Sequence, residues 1–137
     1  MEPLIKTFDF DLVGDERGFL VALEENKNIP FSIKRVYFMT GMNPDTPRGF
    51  HAHKQLEQVA ICVAGKCRFV LDDGFRKESY ELNEINKGLY IGDMVWREMH
   101  DFSEDCVLLV LASEQFDEAD YIRDYEEFLT IRRGEHG

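Results

Sequence analysis

PRGFHAHKQLE, residues Pro47–Glu57, sets two histidines one residue apart, with Arg48 before them and Glu57 after. In an extended chain side chains alternate with period two, so His51 and His53 share one face while Phe50 and Ala52 take the other. The whole chain contains four histidines, so two of them are committed to one short strand. Gly49 before the pair and apolar residues after it favour the face that points into an apolar interior. Burying two imidazoles there is costly unless they have a task. Two tasks suit the pattern. HxH with Glu57 and a distant His100 is a plausible set of first-row metal ligands. Alternatively, an imidazole near its ordinary pKa of ~6.5 can take and return a proton at neutral pH.

The surroundings of this strand predict a β-rich chain. Alternating Val, Ile, Phe and Tyr predict strands at Phe19–Leu23, Ile33–Met39, Gly49–His53, Leu56–Val63, Lys66–Leu71, Phe75–Leu82, Gly88–Ile91, Val95–His100 and Cys106–Ala112. Asp72-Asp73-Gly74 and Ala64-Gly65 supply turn signals between them. Many short antiparallel strands at this spacing predict an all-β sandwich or barrel. Asp117 is read as the cap of a short C-terminal helix with acids in its first turn. Tyr121, Tyr125 and Phe128 then fall on its packing face, with Ile122 and Leu129 widening it.

With 137 residues the chain predicts one domain spanning 1–137. No apolar run approaches the roughly 18 residues that span a bilayer, and the start, MEPLIKTFDFDL, has no secretory pattern. A net charge of -11 argues against a general nucleic-acid binder. The charge is uneven, however. Residues 104–128 carry nine Asp or Glu against one Arg, whereas residues 34–54 carry Lys34, Arg35, Arg48 and Lys54 against Asp45 alone. A basic stretch beside the histidines of an acidic protein suits a small anion such as a phosphate ester. Cys62, Cys67 and Cys106 are odd in number, form no CxxC and sit in apolar runs, so they are read as buried thiols of a cytoplasmic protein.

Gly49, His51, His53, Glu57 and Gly65 follow the first motif of the cupin superfamily, which the chain therefore resembles; the second motif's PxG is absent from GDMVWREMH. A closer resemblance runs through ERGFLVALEENKNIPFSIKRVYF, PRGFHAHKQLEQV, GLYIG, VWREMHDFSEDCVLLVLAS and DEADYIRDY, which span residues 16–125. These blocks are similar to the nucleotide-sugar 3,4-ketoisomerases, a metal-independent branch of the cupins. The resemblance implies a jelly-roll subunit, no cofactor, and a homodimer with exchanged N-terminal strands as one arrangement. It implies His51 and His53 as the essential pair, with Tyr37 close to the sugar. It implies Arg35 and Arg48 on the pyrophosphate, and Arg17, Arg97 and Trp96 near the ligand. Some members carry His at the position of Arg97, which bears on product stereochemistry.

The implied substrate is a dTDP-linked 4-keto-6-deoxyglucose, and the implied product is a 3-keto-6-deoxyhexose of gluco or galacto configuration. Such a product is ordinarily aminated on the way to surface polysaccharide. The substrate's C-4 ketone acidifies the C-3 proton, so a base gives an enediol whose reprotonation at C-4 moves the ketone. Three alternatives stand beside this reading: 3,5-epimerisation of the same 4-keto sugar, a metal-dependent cupin enzyme, and a sugar-nucleotide sensor without turnover.

Overall fold

The computed structural model describes residues 2–134. Its strands are β1 (Thr7–Asp9), β2 (Val13–Asp15), β3 (Gly18–Leu20), β4 (Arg35–Thr40), β5 (Arg48–His53), β6 (Gln58–Ala64), β7 (Cys67–Asp72), β8 (Lys77–Leu82), β9 (Lys87–Ile91), β10 (Trp96–His100), β11 (Val107–Ala112) and β12 (Tyr121–Ile122). One helix, α1 (Tyr125–Gly134), ends the described chain. Two five-stranded antiparallel sheets, β1-β9-β6-β11-β4 and β12-β5-β10-β7-β8, make an all-β jelly roll, and β2 and β3 form a separate hairpin.

Alternation assigns each strand face. Ala60 and Cys62 of β6, Leu108 and Val110 of β11, Leu89 and Ile91 of β9, and Phe69 and Leu71 of β7 point inward and form the main core. Val59, Ile61 and Leu111 point outward from the first sheet, where Phe10, Ile29 and Phe31 of the N-terminal segment cover them. Ala52, Trp96, Ile122 and Phe128 form a third cluster, on the back of the second sheet under α1. The three cysteines meet in the main core, with Cys62 Sγ 3.7 Å from Cys67 Sγ and 3.9 Å from Cys106 Sγ. Contact with Cys67, and then burial, hold the Cys62 thiol far above its usual range, so it packs as a neutral apolar group.

All nine expected strands are present, with ends shifted by a few residues. Two short N-terminal strands and β12 are additional. The C-terminal expectation needs correction. Asp117 does cap, but it caps a single 3-10 turn, Glu118–Asp120, through Ala119 N. Tyr121 and Ile122 then pair with His53 and Ala52 as a strand, and the α-helix starts only at Tyr125. Tyr121 therefore leaves the packing face of Tyr125 and Phe128 and lies beside the histidines.

Candidate active site

β5 carries the histidines, and its shape depends on one extra residue. Arg97 faces His51 and Glu98 faces Gly49, so Phe50 is bulged out of the ladder. Gly49 has φ +94°, and a β-carbon there would stand 2.9 Å from the Arg97 carbonyl. Phe50 holds φ +59°, a conformation costly for a side chain with a Cβ. Residues three apart on a regular strand face opposite ways. The bulge lets Arg48 and His51 line the same cavity.

That cavity, about 360 Å³, is lined by Arg35, Tyr37, Arg48, His51, Tyr121 and Arg123, with Met39, Gly49 and Met99. Three guanidinium groups at one mouth in a protein of net charge -11 mark an anion site. Arg123 stacks on Tyr121, 4.1 Å from the ring centroid, and pairs with Glu118 at 2.9 Å. Arg35 lies over Tyr37 at 5.0 Å, and its Nε is buried without a hydrogen-bond partner. A larger hollow of about 700 Å³ lies at Lys34, Gln55, Glu114, Phe116, Asp117 and Asp120. It sets one lysine against three carboxylates and holds no imidazole, so an anionic ligand selects the smaller cavity.

Beneath the cavity the two imidazoles meet edge to face, with centroids 4.9 Å apart. Tyr121 packs on both, at 5.0 Å from His51 and 4.3 Å from His53. His53 is 2% exposed, and Asp120 Oδ2 lies 3.3 Å from its Nδ1. Burial, and then the Arg97 charge, lower the His51 pKa to about 4 and hold His53 lower still, near 2. Both rings are therefore neutral at pH 7, which is the state a base requires. His51 lines the cavity whereas His53 lies behind it.

Arg97 is 3% exposed, and among the described residues no carboxylate pairs with it. It donates to the Val95 carbonyl and to Gln58 Oε1, and Gln58 Nε2 donates to the Tyr37 hydroxyl at 3.0 Å. Burial lowers the Arg97 pKa to about 10, so the group stays charged at neutral pH. A small inner cavity of about 20 Å³, large enough for about one water, touches Tyr37, His51, Gln58 and Arg97.

Several expected positions are thus brought together: Arg35, Tyr37, Arg48 and His51 on the cavity, with His53 and Arg97 adjoining. Two are not. Trp96 and Arg97 are neighbours on β10 and must face opposite ways. Arg97 points in, and Trp96 points to the back of the sheet, 5.1 Å from Tyr125 and 5.7 Å from Phe128. Arg17 stands on the β2–β3 hairpin, exposed and paired with Asp15 at 2.7 Å, away from the cavity-lining set.

The metal alternative's ligand set does not converge either. Glu57 accepts from the Tyr90 hydroxyl, and His100 contacts Glu98 at 3.0 Å. The carboxylate beside a site histidine is Asp120, not Glu57. Among the described residues the only group of three or more His, Cys, Asp or Glu close enough to share a metal is Cys62, Cys67 and Cys106. Sequence reasoning missed Tyr121, Arg123, Asp120 and Gln58. Arg123 had a signal, as the single basic residue in the acidic tract 104–128.

Paired antiparallel sheets with an imidazole pair turned into the space between them define a cupin-type barrel enzyme. Residues 4–133 match the family model described as WxcM-like, C-terminal (FdtA), and the chain belongs to that family. It is 57% identical over 123 residues to the TDP-4-oxo-6-deoxy-alpha-D-glucose-3,4-oxoisomerase of Aneurinibacillus thermoaerophilus, covering 90% of this chain and 88% of that one. A 3,4-ketoisomerase from Helicobacter canadensis superposes with TM-score 0.92 at 52% identity, covering 94% and 97% of the two chains. A histidine-to-asparagine variant of the 3,4-ketoisomerase QdtA from Thermoanaerobacterium thermosaccharolyticum, in complex with TDP-4-keto-6-deoxyglucose, superposes with TM-score 0.94 at 44% identity, covering 98% and 97%.

Proposed function

We propose that this protein is a 3,4-ketoisomerase that converts TDP-4-keto-6-deoxyglucose to a TDP-3-keto-6-deoxyhexose. The observation that carries this reading is that His51 and Tyr37 line one cavity with Arg35, Arg48 and Arg123, while the buried His53 packs edge to face on His51 from behind. Arg35, Arg48 and Arg123 hold the pyrophosphate, leaving the hexose to reach inward. His51 takes the C-3 proton, and the C-4 carbonyl oxygen gains the electron pair as an enediolate. The Tyr37 hydroxyl and the Arg97 charge stabilise that oxygen. His51 returns the proton to C-4, the C-3 hydroxyl gives up its own to the C-4 oxygen, and the oxidation level of the sugar as a whole is unchanged. No redox cofactor enters that balance. His53, packed against His51 and Tyr121, orients the base.

Purified protein mixed with TDP-4-keto-6-deoxyglucose in D2O tests this by NMR. The expected product has its ketone at C-3 and deuterium at C-4, less any share transferred internally. A ketone still at C-4 with inverted centres at C-3 and C-5 replaces isomerisation by epimerisation. No conversion by folded protein removes the proposal. The configuration at C-4 in the same spectrum distinguishes a gluco from a galacto product, and a 3-keto product suits amination for surface polysaccharide.

The working unit in this reading is a cytoplasmic homodimer. Its support is the outer side of edge strand β4, where Phe38 is 66% and Val36 55% exposed, together with exposed Val63 on β6. Val13, Phe19 and Leu20 expose a second apolar surface on the β2–β3 hairpin. Exchange of that hairpin between copies carries Arg17 to the partner's ligand. Sedimentation equilibrium is expected to give twice the 16.0 kDa chain mass. A monomer at micromolar concentration contradicts the dimer and leaves Arg17 without a ligand role.

A further inference from the structure

Gln58 begins β6, is 1% exposed and faces the interior between Arg97 and Tyr37. Arginine has five N–H donors and no acceptor. The group of Gln58 that meets Arg97 must therefore be its carbonyl oxygen. This fixes the amide's orientation and aims its N–H at Tyr37. The Tyr37 oxygen accepts that hydrogen bond at 3.0 Å. Its own proton must then point elsewhere, and the cavity is the open direction, since Tyr37 lines both the main cavity and the inner one. Arg97 is itself held by two hydrogen bonds to the Val95 carbonyl. The series Val95 carbonyl, Arg97, Gln58, Tyr37 thus has a single direction of donation.

We infer that Gln58 is a positioning residue which, oriented by Arg97, forces the Tyr37 hydroxyl to donate into the cavity. The inference rests on the ketoisomerase reading, in which that proton meets the developing C-4 oxyanion. A phenol that donated into the protein would present only lone pairs to a growing negative charge. The amide thereby sets the sign of the interaction without touching the sugar.

Two near-isosteric substitutions separate this role from simple packing. Gln58→Glu keeps a partner for Arg97, and indeed a charged one, but is acceptor-only, so the phenol turns its proton toward the carboxylate. Gln58→Leu strands Arg97 yet leaves the phenol free to rotate. A structural role makes the Leu variant the worse enzyme, because it orphans a buried cation. The positioning role makes the Glu variant worse. Its kcat is expected to fall on the order of 10²-fold, the scale of losing one oxyanion donor, with KM and TDP affinity near wild type. In the Tyr37→Phe background Gln58→Glu is expected to cost clearly less than it does alone, the remainder being the Arg97 charge that the new carboxylate offsets.

A second readout needs no turnover. With 13Cζ-labelled tyrosine, the resonance that disappears in Tyr37→Phe is expected to shift in Gln58→Glu without ligand. A Leu variant slower than the Glu variant, or an unmoved resonance, overturns the inference. If wild-type protein leaves the sugar unchanged, the isomerase reading falls, and the 13Cζ shift still decides the hydrogen-bond direction.

Discussion

Replacing His51 by asparagine is expected to lower kcat on the order of 10³-fold, within the range that a positioned acid–base group supplies. Asparagine is neutral and of similar reach, so it removes the proton acceptor while leaving the arginine-lined mouth intact. Affinity for TDP is accordingly expected to stay near wild type, since Arg35, Arg48 and Arg123 line the same cavity and are left in place. Steady-state kinetics with isothermal titration separates the two quantities. A variant that retains turnover within about tenfold of wild type would show that His51 is not the base.

The same residue sets an acid limb. A base must be neutral, and burial with the neighbouring Arg97 charge lowers its pKa to about 4. For wild type, kcat/KM is expected to stay level from pH 8 down toward 5 and to fall only as the pH nears 4. A solvated imidazole would instead lose activity around ~6.5. Stability follows the same sign. Below about 6.5 the unfolded chain binds a proton that the native His51 refuses until about 4, so stability decreases as pH falls across that window. A limb near 6.5 in kcat/KM would mean that the imidazole is hydrated in the working enzyme.

The largest effect on folding is expected at Phe128. The ring is 0% exposed and lies 5.7 Å from Trp96 and 6.1 Å from Tyr125, in a cluster with Ala52 and Ile122. Ala52 sits between the two histidines on β5, and Ile122 pairs with it from β12. The ring therefore braces the back of the strand that presents the imidazoles. Phe128→Ala removes an entire aromatic side chain from a closed cluster, at a cost of about 3–5 kcal/mol. A domain of this size holds roughly 5–15 kcal/mol in total, so the melting temperature is expected to fall by roughly 10–20 °C. The other end of α1 stays tied by Arg132 and Arg133, which donate to the Asp73 and Gly74 carbonyls of the β7–β8 turn. A loss below about 1 kcal/mol in denaturant titration would show that these ties hold the helix and the aromatic cluster does not.

Much of the barrel was legible because strand alternation and turn chemistry are local. HAH announces its shared face within three residues, IKRVYFM and VLLVLA announce strands by composition, and DDG announces its turn. The short β1 also had a signal, since Phe8, Phe10 and Leu12 alternate with acids in TFDFDL, although a three-residue strand carries little weight alone. The C-terminal segment misled because Tyr121, Tyr125 and Phe128 fit a helical stripe. Pairing of Tyr121 and Ile122 with β5 overrides that local pattern, and it brings Tyr121 and Arg123 to the site.

By itself the sequence determined an antiparallel sandwich or barrel, the shared face of His51 and His53, and the basic character of their neighbourhood. Each of these follows from residues a few positions apart. Only the tertiary structure decided that Phe50 bulges and returns Arg48 to the face of His51. It also turned Trp96 outward and Arg97 inward, gave His53 its carboxylate neighbour in Asp120, and closed the Arg97–Gln58–Tyr37 series across three strands. These depend on register between segments 20 to 70 residues apart, and register is fixed when two sheets bury their inner faces together.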